Sequence, residues 1–179
     1  MKVFSTLLLA GLLLLMLEGA LATLLSPPWC PDLRLLAVIS IGLRWRGLAP
    51  GLALAYLLGS AADVLSGSLM GLHALLSILA FLSAVFAGRQ LNLKGRFPLM
   101  AFAASVSLFY GLALYAVSSF FVSGIEFVPQ WLLENLLHSL VNGLFAPLVF
   151  EAFSRLAVWA GADDSSERAL FLETSRGPM

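Results

Sequence analysis

The chain has 179 residues, of which 60% are hydrophobic and 11% are charged, and its formal net charge is zero. Soluble domains carry about 25% charged residues, and they do not need the long apolar blocks that this sequence contains. The composition is typical of a polytopic membrane protein with short loops and no soluble domain. The sequence contains no basic stripe of the kind that would indicate nucleic-acid binding. It has a single cysteine, which excludes an internal disulfide.

Six apolar segments follow one another, and each is predicted to be a transmembrane helix. Their approximate ranges are residues 3–25, 32–43, 48–65, 69–88, 98–122 and 131–159. The second segment is short, and it can cross a membrane only if Asp32 and Arg34 lie inside the membrane, sheltered by protein. Pro147 predicts a kink in the sixth segment. The expected fold is an all-α integral membrane bundle of six spans, followed by a polar cytoplasmic tail at residues 162–179.

Basic residues set the predicted orientation of the bundle. They occur at alternate ends of the segments: Lys2, Arg44, Arg46, Arg89, Lys94, Arg96 and Arg155. The other connections, at residues 26–32, 66–68 and 123–130, contain no Lys or Arg. The positive-inside rule therefore places both termini in the cytoplasm, provided that the first span is retained. The leucine-rich start also resembles a cleavable signal peptide, although Glu18 is awkward in such a segment.

This topology places most of the intramembrane polar residues in the outer half of the bundle: Glu18, Asp32, Arg34, Asp63, His73, Glu134, Asn135, His138 and Asn142. Glu134, His138 and Asn142 are spaced four residues apart, so they share one helix face. Ionisable groups are costly in lipid and therefore indicate a functional site. The alternative is that they only join helices, because an intramembrane hydrogen bond averages a modest ~0.6 kcal/mol.

Asp63 lies in the last turn of the third segment, where the helix dipole is negative and disfavours an anion. The carboxyl group must therefore be protonated or be compensated by a cation. Arg34 is the one basic residue predicted on the outer side, and we hypothesise an Asp63–Arg34 ion pair. The surrounding Gly59, Gly67 and Gly71 allow close packing of the backbone.

The sequence lacks the motifs of intramembrane catalysis. No Gly-x-Ser-x-Gly nucleophile, paired intramembrane aspartates, His-Glu-x-x-His motif or phosphate-binding glycine loop is present. We therefore expect no enzymatic activity, no cofactor and no metal.

Residues 59–71 read GSAADVLSGSLMG and closely resemble the signature of the MreD family of bacterial rod shape-determining membrane proteins, Gly-x-x-x-Asp-x-x-Ser-Gly-[Ser/Thr]-x-x-Gly. Residues 139–147, which contain Asn142, Gly143 and Pro147, resemble a late helix of that family. Residues 28–31 and Asp32 resemble its proline-rich segment before the second span. The resemblance covers nearly the whole chain.

The resemblance implies a non-enzymatic scaffold of the cell-elongation machinery in the bacterial inner membrane, with a fold similar to the substrate-binding component of energy-coupling-factor transporters. It implies direct binding to MreC, a single-span protein with a large periplasmic domain. MreB, RodA and a class B penicillin-binding protein belong to the wider complex. Gly59, Asp63, Gly67 and Gly71 are expected to form an essential hairpin.

The late-helix residues Asn142, Gly143 and Pro147 are expected to shape the helix that faces this hairpin. The alternative function is that of a small-molecule-binding transporter component, with a pocket lined by Glu18, Arg34, His73, Glu134 and His138.

Overall fold

The computed structural model describes residues 2–25, 28–44, 47–67, 69–90, 95–121 and 129–161. The regular structure within these ranges is entirely α-helical, as predicted. The helices are α1 (Lys2–Leu24), α2 (Leu33–Arg44), α3 (Leu48–Ser66), α4 (Leu72–Gln90), α5 (Arg96–Phe121) and α6 (Pro129–Trp159). The predicted polar tail lies outside the described residues.

Five of these helices are long and apolar enough to cross a membrane, which is consistent with a multi-pass membrane protein. Each helix lies on one of the six predicted segments, but α4 begins three residues later than expected. The reason is a turn after α3, in which Gly67 and Gly71 adopt positive φ angles of 62° and 92°. Glycine reaches these angles without the steric cost that other residues meet.

Helix α2 is the shortest of the described helices, as the short second segment predicts. Its 12 residues extend about 18 Å, roughly half of a bilayer. Ten successive residues, from Leu33 to Gly42, are buried. Helix α2 contacts all five other helices, and these form a closed ring in the order α1, α3, α4, α5, α6. The second segment is therefore a short central helix enclosed by protein.

The helices alternate in direction. The Asp32 amide contacts Asn142 near the start of α2, and Arg44 contacts Ser154 near its end, so α2 and α6 run parallel. Helix α4 is also parallel to α2, because Arg34 contacts Ser77 while a Cβ placed at Gly42 would touch Ala84.

The odd-numbered helices run in the opposite direction. In the α3–α4 hairpin, a Cβ at Gly51 would meet Phe81, and one at Gly59 would meet Ala74. The same antiparallel pairing joins α5 to α6. Basic residues in the described ranges, with Arg34 as the exception, consequently lie toward one end of the bundle: Lys2, Arg44, Arg89, Arg96 and Arg155.

Candidate functional site: a buried polar network

Helix α2 begins inside the bundle, where its first N–H groups have no water to bind. Two carboxylates from different elements accept these groups. Asp32 Oδ1 accepts from the Leu35 N–H at 2.7 Å, and Glu18 Oε2, from α1, accepts from the Arg34 N–H at 3.1 Å. Both carboxyl groups therefore lie at the positive end of the α2 dipole, which favours negative charge.

The Arg34 side chain is the charged centre of the network and is 3% exposed. Its Nη2 donates to Asp32 Oδ2 at 3.1 Å and to the Tyr110 hydroxyl at 3.0 Å, while Nη1 donates to Ser77 Oγ at 2.9 Å. The guanidinium also lies over the Tyr110 ring, 5.5 Å from its centroid. Helices α2, α4 and α5 are thus held together by one cation.

Tyr110 extends the network to His73. Its hydroxyl lies 2.6 Å from His73 Nδ1, and the two rings are stacked. Because that oxygen already accepts from Arg34, its own hydrogen is free to be donated to Nδ1. The His73 ring lies at the half-buried edge of the network.

Asn142 connects α6 to the same centre. Its Oδ1 accepts from the Asp32 backbone N–H at 2.7 Å, and its Nδ2 donates to Ser107 Oγ at 2.6 Å. The same Nδ2 lies 3.1 Å from His138 Nε2, one turn earlier on α6. Asn142 is fully buried, so each of these contacts replaces a bond that water would otherwise make.

Asp63 brings α3 into the network, but not through the partner predicted from the sequence. Its carboxylate accepts three backbone N–H groups at the start of α4, from Gly71 at 3.1 Å, His73 at 2.8 Å and Ala74 at 3.1 Å. The hypothesis of an Asp63–Arg34 ion pair is wrong, because the buried ion pair of the described residues joins Arg34 to Asp32. The α4 N-terminus supplies the positive potential that the hypothesis assigned to Arg34.

The glycines of this hairpin have two different roles. A Cβ at Gly59 would lie 2.5 Å from Ala74 Cα and 2.7 Å from the His73 carbonyl oxygen, so α3 and α4 approach closely there. Gly67 and Gly71 have open space around them, and what they supply is the positive φ of the turn.

We expect Gly59→Ala to destabilise the protein by about 1–3 kcal/mol, because the atoms in its way are backbone and the two helices must separate. Gly19→Ala in α1 is the matched control, since a Cβ there meets nothing within 4 Å and alanine favours helix. Thermal unfolding of both purified variants in the same detergent measures the difference. Equal unfolding temperatures for the two variants would contradict the close approach.

The late-helix residues pack differently from the prediction. Gly143 faces α5, where a Cβ would lie 3.0 Å from the Met100 carbonyl oxygen, and Pro147 lies inside the continuous α6 helix. Gly143 therefore shapes the α5–α6 contact. Within the described residues α6 contacts α1, α2 and α5 and neither α3 nor α4, so it does not face the 59–71 hairpin. Glu134 also stays outside the network and accepts a long 3.4 Å hydrogen bond from Gln130.

Three members of the network were not singled out in the sequence: Ser77, Ser107 and Tyr110. Single serines give little signal, because hydroxyl groups are common in membrane helices and often bond to their own backbone. Tyr110 gives a clearer signal in the sequence. Tyrosine is enriched at membrane interfaces, and this residue occupies the middle of an apolar span.

The network joins all six helices through hydrogen bonds. Within the described residues no group of three His, Cys, Asp or Glu side chains is arranged to hold a metal ion. Comparison of the chain with protein-family models, curated proteins and solved structures found no match. The arrangement is chemically suited to fixing the relative positions of helices, since Glu18, Arg34, Asp63 and Asn142 each bind a group on a neighbouring element.

Proposed function

We propose that this protein is a non-enzymatic membrane scaffold of the bacterial cell-elongation machinery, similar to MreD. In this proposal it resides in the inner membrane with both termini in the cytoplasm. It binds a single-span MreC-like partner directly, within a complex that includes MreB, RodA and a class B penicillin-binding protein. Its role is to support rod shape and peptidoglycan synthesis.

The observation that carries this proposal is the construction of the 59–71 hairpin. The residues that resemble the family signature form one unit, in which Asp63 fixes the start of α4 and Gly59 allows the two helices to meet. This arrangement supports a structural role for residues 59–71, because the Asp63 carboxylate is occupied by three backbone N–H groups.

A small-molecule-binding component of an energy-coupling-factor transporter, with the corresponding fold, is the second candidate. One observation favours this candidate. His73 and His138 are half-buried, so a ligand could reach each imidazole from outside the network. Two other residues of the proposed pocket are less available, because Arg34 and Glu18 already bind α2, α4 and α5.

Site-specific photo-crosslinking in the native host tests the scaffold proposal. A crosslinker is placed at one exposed position on each of four helices, Leu13, Val64, Phe109 and Leu144. We expect one helix face to crosslink to a single-span protein with a large periplasmic domain, and the other faces serve as internal controls. Recovery of an ATPase pair without such a partner would contradict the scaffold and support the transporter component.

A further inference from the structure

Three arginines and one glutamate meet at the end of the bundle opposite the α3–α4 turn. Arg155 Nε donates to Glu151 Oε1 at 2.8 Å on α6. Arg44, the last residue of α2, donates to Ser154 at 2.6 Å. Arg96 is the first residue of α5, and α5 runs antiparallel to α6, with a Cβ at Gly143 lying 3.0 Å from the Met100 carbonyl oxygen, so Arg96 lies at the same end of the bundle as Glu151. We call these four residues, Arg44, Arg96, Glu151 and Arg155, the arginine cluster.

The cluster has excess positive charge that its own residues do not neutralise. The cluster contains three guanidinium groups and one carboxylate, which gives a formal charge of +2. Within the described residues, Arg44 has a hydrogen bond to Ser154, and Arg96 has no hydrogen bond or ion pair. Guanidinium groups bind phosphate oxygens through paired N–H donors, so the cluster has donors available for a phosphate group.

The surface beside the cluster is apolar. Phe97, which follows Arg96, is 80% exposed, and Leu148, one turn from Glu151 toward the middle of α6, is 68% exposed. Arginines from three helices lie at this end of the bundle, and exposed apolar side chains lie beside them, toward the middle of the bundle. This arrangement is complementary to an amphiphile that has an anionic headgroup and acyl chains. Basic pockets between membrane helices bind anionic lipid headgroups in this way.

We propose that the arginine cluster is a binding site for the phosphate of an anionic phospholipid, with the acyl chains along Phe97 and Leu148. The site is separate from the buried network, and it does not depend on the proposed scaffold function. It would bind lipid at the junction of α2, α5 and α6.

Native mass spectrometry and thermal unfolding of the purified full chain test the site, with phosphatidylglycerol, cardiolipin or phosphatidylcholine added at matched concentrations. We expect the anionic lipids to bind and stabilise the protein and phosphatidylcholine to do so much less. Arg44→Gln and Arg96→Gln should each weaken anionic-lipid binding about fivefold, as expected for one basic residue near a lipid surface. Arg89→Gln is the control for loss of one positive charge at this end of the bundle, because Arg89 ends α4, a helix that contributes no residue to the cluster.

Glu151→Gln gives a test that does not depend on a loss of binding. It removes the carboxylate and frees Arg155, so we expect binding about fivefold tighter than in the unaltered protein. Equal losses in Arg89→Gln and Arg44→Gln would overturn a local site in favour of general surface charge. Inorganic phosphate that stabilises the protein as well as the anionic lipids would overturn the lipid assignment.

Discussion

Replacing Arg34 with methionine is expected to cost about 3–5 kcal/mol of stability, because it leaves the buried Asp32 carboxylate without its cation. Asp32 and Glu18 remain at the start of α2 in this variant. The Tyr110 hydroxyl and Ser77 lose their guanidinium donor as well. A loss of this size is a large fraction of the marginal stability of a protein, so the variant should unfold at a much lower temperature in detergent or fail to accumulate.

A neutral version of the same site separates the effect of charge from that of packing. Combining Arg34→Met with Asp32→Asn and Glu18→Gln removes the cation and both ionisable carboxyl groups and retains the side-chain oxygens that accept the α2 N–H groups. We expect this triple variant to regain most of the lost stability. Arg155→Gln is the control for loss of an exposed ion pair and should change stability by less than about 1 kcal/mol. A triple variant as unstable as Arg34→Met would show that the charges are not the cause.

Much of the fold follows from the sequence, because apolar length and breaker residues determine where membrane helices begin and end. The short second segment was the informative case. Its length is too small for a bilayer, so it can cross the membrane only if Asp32 and Arg34 lie within protein. Both residues are buried in the structure. The ring of five helices around α2 could not be predicted, because it depends on which helix faces pack together. Uniformly apolar helices have no hydrophobic periodicity that would indicate these faces.

The partners in the site were harder to predict than its members. The position of Asp63 within an apolar segment identifies it as a candidate. Its partner, the N-terminus of α4, could not be recognised because the fourth segment is predicted to start at residue 69. Helix α4 begins at Leu72, and only with this boundary do the N–H groups of His73 and Ala74 become unpaired helix-terminal donors. The error of three residues in the predicted start of α4 is the reason why the sequence assigns to Arg34 a role that the N-terminus of α4 has.

Asp63→Ala is the second substitution with a large expected effect. It leaves three N–H groups without an acceptor at the start of α4, and we expect a loss of about 3 kcal/mol or more, since each unsatisfied buried donor costs about 1–3 kcal/mol. Asp63→Asn retains one carbonyl oxygen and should lose about half as much. Thermal unfolding in detergent ranks the variants, and hydrogen exchange at the first turn of α4 should accelerate in the same order.

Reversing the charges at residues 63 and 34 distinguishes helix capping from the ion pair expected from the sequence. If the two side chains were paired, the double variant Asp63→Arg with Arg34→Asp would recover what each single variant loses. The structure gives the opposite expectation. An arginine at position 63 would direct a cation at the α4 N–H groups, while an aspartate at position 34 would add a third carboxyl group beside Asp32 and Glu18. The double variant should therefore be less stable than either single variant, and recovery would mean that capping is not the main role of Asp63.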